Sequence, residues 1–177
     1  MTNEELQIKF KERFPDFAES CIIDKGHIVA EIPLEHMELT LTTLKDDSEF
    51  DFKMYMDFTV VDWMERKPRF DLVYHLYSVE KNHRIRIKVG ITESQSAPTM
   101  SGLWPVADWH EREMFDLYGV KFSGHPNLKR ILLYDSFKGH PLRKDYPVTK
   151  RQPRIESTFP TRDSQYQEKD LKIHRGD

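Results

Sequence analysis

Four side chains between Trp104 and Pro147 are of the types that acid–base or metal chemistry uses: His110, Glu113, His125 and His140. Brought together, they would activate a water on a metal or a carboxylate. The spacing argues against it. His110-Glu111 begins like a zinc-protease helix, but the position that needs the second histidine holds Met114. A Glu-x-x-His pair of the bridged-iron type is missing from the same stretch. His125 and His140 each sit in a Gly-His-Pro turn, where an imidazole commonly bonds to nearby backbone. Ser101 and Ser123 have no base and orienting acid beside them, so nucleophilic catalysis has no support. With seven glycines and neither Gly-x-Gly-x-x-Gly nor the phosphate-loop pattern, nucleotide fingerprints are missing too. The single cysteine, Cys21, cannot supply the roughly four thiolates an iron–sulfur cluster takes.

Charge is the stronger signal. Glu111, Arg112, Glu113 and Asp116 crowd one short segment, and Arg112 and Asp116 stand at the i, i+4 spacing that allows an ion pair. Glu111 and Glu113 project to different sides of a helix, so at least one is expected to seek Arg130, Arg143 or Lys144. The bland reading is a solvated helix face. Trp109, Phe115 and Tyr118 alongside argue for partial burial, and a buried carboxylate needs a partner. Arg130, Arg143 and Lys144 either pin the loops or grip another protein. Pro126, Pro141 and Pro147 stiffen those loops. A rigid surface rich in Tyr, Phe, His and Arg suits a lasting protein–protein contact.

The elements that must position these residues follow from periodicity. Thr2-Asn3-Glu4-Glu5 reads as a capping box ahead of a helix whose face is Leu6, Phe10 and Phe14, ended by Pro15. Asp24-Lys25-Gly26 turns a hairpin between Ile22-Ile23 and Ile28-Val29-Ala30, read as buried and with Cys21 packed beside it. Pro33 opens a second helix lined by Leu34, Met37, Leu41 and Leu44. The loose alternation from Met54 to Asp62 reads as a central strand covered on both faces. Phe70–Val79 and Arg84–Ile91 form a second hairpin, its return strand burying Ile85, Ile87, Val89 and Ile91. The second helix then makes a crossover between two strands, which favours a right-handed βαβ connection. Pro105 opens a third helix with Val106, Trp109, Glu113 and Leu117 near one stripe, and Gly119 closes it. The expected fold is α+β: one mixed sheet of about five strands with helices packed on it, over residues 1–147, followed by an extended partner-binding tail at 148–177.

Composition bounds the partners. The protein of 177 residues carries 38% hydrophobic and 32% charged residues and a net charge of −3. From Arg143 onward there are nine Lys/Arg against six Asp/Glu, so a mildly basic tail follows an acidic body. Neither balance calls for nucleic acid. Arg84, Arg86 and Lys88 alternate on one strand face without exposed aromatics on which bases could stack. No apolar run approaches the roughly twenty residues of a membrane span, and the acidic start is neither a secretory nor a transit signal. The expectation is an intracellular protein with no direct membrane insertion.

The ordered motifs carry a resemblance. Glu111-Arg112-Glu113, Asp116-Leu117-Tyr118, His125-Pro126, Lys129-Arg130-Ile131-Leu132 and Gly139-His140-Pro141-Leu142-Arg143-Lys144-Asp145-Tyr146-Pro147 resemble the signature of the C-type, or 30 kDa, subunit of respiratory NADH–quinone oxidoreductase, complex I. Asp57-Phe58-Thr59-Val60-Val61-Asp62-Trp63 resembles a less fixed strand of that family. The resemblance runs from about Leu6 to Pro147. It implies a scaffold of the peripheral arm on the cytoplasmic side of the bacterial inner membrane, without a cofactor of its own. NADH, flavin, iron–sulfur clusters and quinone would be held by neighbours: the quinone-site (D-type) subunit, the cluster-bearing B-type and I-type subunits, and the large cluster-bearing G-type subunit. The implied contact residues are Arg112, Tyr118, His125, Arg130, His140, Arg143 and Tyr146, with Glu111, Glu113, Asp116, Pro126, Lys144 and Asp145 completing the signature. The equivalent subunit of an energy-converting hydrogenase or related dehydrogenase is the nearest alternative. A free-standing metal enzyme built on His110, Glu113, His125 and His140 is the alternative of a different class.

Overall fold

The computed structural model describes residues 2–152. Helix α1 (Asn3–Arg13) starts where the capping box predicts: the Glu5 amide donates to Thr2 Oγ1 at 3.2 Å and the Thr2 amide to Glu5 Oε2 at 2.9 Å. Two otherwise orphaned donors are thereby satisfied. Leu6 and Phe10 are buried, and Phe14 stacks on Phe17 in the short 3-10 segment Pro15–Ser20. Strands β1 (Ile22–Asp24) and β2 (His27–Ile32) form the first hairpin. A 3-10 turn leads into α2 (Met37–Asp46), which buries Met37, Leu41 and Leu44. Strands β3 (Met54–Asp62), β4 (Phe70–Ser78) and β5 (His83–Ile91) follow, then the short β6 (Ser96–Pro98), α3 (Ala107–Tyr118) and β7 (Lys121–Ser123).

The main sheet is mixed and five-stranded, in the order β1-β2-β5-β4-β3. The β2–β5 pair is parallel and the other pairs are antiparallel. This is the expected α+β architecture. One sheet face supplies the core: Ile28, Ala30 and Ile32 from β2, Ile85, Ile87 and Val89 from β5, Leu72, Tyr74 and Leu76 from β4, and Tyr55, Phe58 and Val60 from β3. Side chains from all three helices pack into the same cluster. The opposite face carries Arg84, Arg86 and Lys88, as the alternation in β5 requires. Strands β6 and β7 pair in parallel and bracket α3.

Three expectations need correction. β3 is an edge strand, not a central one. Its alternation is loose because half-buried Val61 is apolar on the face opposite Phe58 and Val60, and because a bulge between Tyr55 and Asp57 puts Tyr55 and Phe58, three apart, on the core face. β1 is exposed, with Ile22 half accessible, while Cys21, just before it, is fully buried. Burial pushes that thiol up to about 11, as befits a packing residue. The third correction concerns α3. Val106 and Trp109 are exposed, and the buried face carries Ala107, Glu111, Met114 and Asp116. Periodicity follows apolar residues and misses a face whose interior positions are carboxylates. The α2 crossover does lead to a strand running in the direction of β2, but β5 and β4 lie between the two.

Phe10 tests the core. It is fully buried and its ring meets Phe14 and Phe17. Replacing it with alanine is expected to cost about 3–5 kcal/mol in urea unfolding of the full-length protein.

Candidate functional site

Helix α3 is the spine of the site. Gly119 ends it in the left-handed region (φ 78°), and its amide donates to the Phe115 carbonyl at 3.0 Å. Glu111 and Asp116 both have side chains with no exposed surface. Each holds a loop.

Asp116 serves the first loop after β7. Its Oδ2 accepts three successive amides, Ile131 at 3.0 Å and Leu132 and Leu133 at 2.8 Å each. Its Oδ1 accepts from Arg130 Nη1 at 2.7 Å. Burial pushes this carboxyl up, but the three amides and the guanidinium outweigh it and hold the group below its ordinary value. The loop is thus wrapped on a single anion, an amide nest closed by an arginine. Arg112 reinforces it by donating to the carbonyls of Lys129 at 3.3 Å and Arg130 at 3.5 Å, while its guanidinium lies 5.2 Å from the Trp109 ring centroid.

Glu111 serves the segment that enters α3. Its Oε2 accepts from Thr99 Oγ1 and its Oε1 from the Met100 amide, both at 2.6 Å. Burial is the dominant influence and raises its pKa despite these bonds. His125 Nε2 lies 3.9 Å from Oε2 and donates to the Asp108 carbonyl at 3.2 Å, while its Nδ1 accepts the Asn127 amide at 3.0 Å. That pattern fixes the tautomer with the proton on Nε2.

The second Gly-His-Pro turn caps the other end of α3. His140 Nδ1 donates to the Asp116 carbonyl at 2.9 Å, and the Leu142 amide donates to the Leu117 carbonyl at 3.1 Å. Two of the carbonyls left open at a helix end are thereby satisfied. The imidazole sits so close to Gly119 that a Cβ there would lie 2.7 Å from it. Glycine is therefore required at 119 both by backbone conformation and by the ring.

A second network ties this turn to the sheet. Arg69 Nε and Nη2 bind the two oxygens of buried Asp62 at 2.7 and 2.8 Å, and Nη1 reaches Asp145 at 3.0 Å and also pairs with Glu93. Arg143 bridges Glu93 at 2.6 Å and Asp145 at 3.1 Å, and the Lys144 amide donates to Asp62 Oδ2 at 2.8 Å. Tyr146 stacks against Phe137, and its hydroxyl accepts from Gln152 Nε2 at 2.6 Å. Gln152 also binds the backbone of Lys138 in both directions.

The signature residues are thus brought together, but largely as internal braces. Arg112, His125, Arg130, His140 and Arg143 each bond within the protein. Tyr118 is half-buried, and burial raises its pKa, with Asp62 and Glu113 adding to the shift. Pro126 and the Lys144 side chain are exposed. The expected Arg112–Asp116 pair does not form: Asp116 takes Arg130, and Arg112 takes backbone carbonyls. Nor does Glu111 find a cation among Arg130, Arg143 and Lys144, since Thr99 and Met100 reach it first. Sequence patterns did not single out Arg69, Glu93 or Thr99. Arg69 stands in a polar loop, and its partners are remote in sequence, so no local pattern announces it. His110, Glu113, His125 and His140 are not gathered: His110 faces Asp57 at 3.6 Å, while His125 and His140 serve different ends of α3. Among the described residues no group of three or more His, Cys, Asp or Glu is placed to hold a metal. Nor is any helix among them long and apolar enough to cross a membrane.

Two predictions test the braces. Asp116→Ala strands Arg130 and three amides, and is expected to cost about 3–5 kcal/mol in urea unfolding, whereas Glu113→Gln changes stability by less than about 0.5 kcal/mol. The second concerns acid. The Arg69 hydrogen bonds hold Asp62 well below the usual carboxylate range, and Arg69 followed by Arg143 lowers Asp145 to about 2. A depressed folded-state pKa gives stability that is complete above the unfolded value, near 3.9, and is lost as pH falls toward the folded value. The thermal midpoint is expected to fall between about pH 4 and pH 2, and Asp145→Asn to flatten that fall.

The family described as "Respiratory-chain NADH dehydrogenase, 30 Kd subunit" matches residues 30–152. A Caulobacter vibrioides protein, named as the C subunit of NADH-quinone oxidoreductase, is 56% identical over 110 residues, which are 62% of this protein and 56% of that one. Its namesake from Hyphomonas neptunium is 41% identical over 145 residues, 82% of this protein and 72% of the relative. The sequence thus spans little more than half the length of the first relative. Among solved structures, a trypsin-resistant fragment of Nqo5 aligns over 72% of this protein and all of its own length, with TM-score 0.62 and 25% identity. A component of a membrane-bound sulfane sulfur reductase, an archaeal respiratory membrane complex, aligns over 92% of this protein and 98% of its own length, with TM-score 0.68 and 25% identity. Matched by that family over most of its length, the protein belongs to the 30 kDa subunits of respiratory-chain NADH dehydrogenase.

Proposed function

We propose that this protein is a non-catalytic scaffold of an NADH–quinone oxidoreductase, holding the redox subunits in register while they carry electrons from NADH to quinone, coupled to proton translocation. One observation carries the reading: the charged residues of the signature brace two loops against α3 rather than build a reactive group. The braced segments present large apolar side chains outward, beside exposed charged ones such as Lys144. Trp109, Leu132 and Leu142, on α3 and the two loops it holds, are at least half exposed. Large apolar side chains on stiffened backbone suit a docking surface, because little entropy remains to be lost on binding. The partners in this reading are the quinone-site (D-type) subunit, the cluster-bearing B-type and I-type subunits, and the large G-type subunit. NADH, flavin, iron–sulfur clusters and quinone belong to them. The protein lies peripherally on the cytoplasmic side of the inner membrane.

Residues 1–147 act in this reading as the folded unit and 148–177 as the partner-binding tail. Gln152, clasped to Lys138 and Tyr146, holds the first tail residues against the second loop. The expected wrapping of the tail over neighbours concerns residues that lie, beyond 152, outside those described. The sulfane sulfur reductase likeness supports a second reading, in which the same module serves a related energy-converting complex. The relatives from Caulobacter and Hyphomonas favour the NADH-linked one.

Purification of the tagged protein from detergent-solubilised membranes decides between them. The expected outcome is co-purification with cluster-bearing subunits and NADH-dependent quinone reduction. Hydrogen or sulfur chemistry without NADH oxidation would favour the second reading, and recovery of the protein alone would refute both. Trp109→Ser combined with Leu132→Ser is expected to lower recovery of the complex severalfold while leaving the protein's own thermal midpoint within a few degrees, since both side chains are largely exposed.

A further inference from the structure

The uncovered face of the sheet holds a cationic cleft that the braced loops leave free and that α3 approaches only at Asp57, through His110. Cross-strand register sets Val29, Arg86, His75 and Asp57 in one row, with Arg84, Tyr77 and Met54 in a neighbouring row. Between them lies a cleft of about 250 Å³, lined among others by His27, Met56, Asp57, His75, Arg84 and Arg86. Among the described residues, the arginine and lysine cations of this face are matched except one. Lys88 lies 3.5 Å from Glu31, and the Arg84 guanidinium stacks 4.4 Å above the Tyr77 ring centroid. Among the described residues no hydrogen bond or ion pair engages Arg86, although it is half-buried and its Nε is wholly buried without a partner. The carboxylate closest in register is committed elsewhere: Asp57 accepts the Phe58 amide at 2.8 Å and lies 3.6 Å from His110.

We propose that this cleft is a docking pocket for an aspartate or glutamate side chain of a neighbouring protein, gripped by Arg86. A half-buried guanidinium without an acceptor is costly on its own, and its planar fork matches a carboxylate in two parallel hydrogen bonds. His75 stands in the adjacent register position. Burial, and then the nearby Arg86 charge, lower its pKa, so the neutral ring can donate one N–H to the same anion. The surroundings select a protein over a free anion. Met56, 43% exposed, lines the cleft on the sheet's edge strand, and Met54, 46% exposed, stands two residues before it on that strand. Methionine, arginine and tyrosine together are typical of protein contacts. The volume falls below the roughly 300–1,000 Å³ of small-molecule pockets and suits one acidic side chain with an apolar neighbour.

The source of the carboxylate rests on the reading of this protein as a subunit, so the test separates the two. The tagged full-length protein is expressed in its own membranes as wild type, Arg86→Gln and Arg86→Lys. Isolated Arg86→Gln is expected to melt at or above the wild-type temperature, because it loses an unmatched charge. From the assembled complex it is expected to wash out in salt about tenfold faster. In the Arg86→Lys complex, zero-length carbodiimide coupling is expected to join the substituted amine to an Asp or Glu of another subunit, identified by mass spectrometry. Wild-type retention of Arg86→Gln, a lowered melting temperature of that variant alone, or coupling only to this protein's own acids would overturn the pocket and leave the subunit reading standing. Failure of the wild-type protein to co-purify with any partner would overturn both.

Discussion

Everything at the candidate site depends on a carboxylate taken out of water inside a helix. Asp116 has no solvent to stabilise it, so the protein must supply the hydrogen bonds, and it does so by folding three consecutive backbone amides and one guanidinium around the oxygens. The exchange is reciprocal. The anion gains a hydration shell made of protein, and a segment that forms neither helix nor strand gains a defined path. Glu111 does the same at lower density for the segment before the helix. Asp116 thus gives a defined path to the described stretch after β7, which has almost no regular secondary structure, and Glu111 fixes the segment that enters α3.

The two Gly-His-Pro turns have matching roles. Each places an imidazole against a carbonyl of α3, His125 at Asp108 and His140 at Asp116. Proline after each histidine limits the backbone, and the histidine supplies a donor that a proline-rich loop lacks. Arg69 then links this assembly to the sheet through Asp62 and Asp145, so the loop surface and the sheet edge form one body. On the scaffold reading proposed above, such rigidity is what holding redox partners in register would need, because transfer depends on fixed geometry.

The fold was largely legible. Capping at Thr2, the two hairpins, the buried face of β5 and the glycine stop at 119 all follow from local chemistry with a period of two or 3.6 residues. Legibility failed where a local pattern carried a non-local cause. The bulge at Met56 and the outward apolar Val61 made an edge strand look doubly covered. On α3, two of the four interior positions are acidic, so the apolar stripe pointed toward Trp109, which is exposed. The signature residues themselves were identified from their motif, but their pairing was not. Glu111 finds Thr99 and Met100, and Asp116 finds Arg130, because loop geometry decides which donor arrives first. Arg69 was invisible for the same reason: nothing near it in sequence hints that Asp62, Glu93 and Asp145 converge on it.

The Arg69 cluster also imposes an order on the making of the protein. Asp62, Arg69 and Glu93 leave the ribosome well before Arg143, Lys144 and Asp145, yet the Lys144 amide completes the shell around Asp62 and Asp145 completes that around Arg69. The β3–β4 edge of the sheet therefore begins with Asp62, Arg69 and Glu93 paired among themselves but with their remaining hydrogen-bond positions left to water, and becomes fully dressed when the last loop arrives. Closure of that loop is the final fastening of the domain, and a polypeptide that stops short of it keeps a hydrated, loosened rim where the finished protein is stiff.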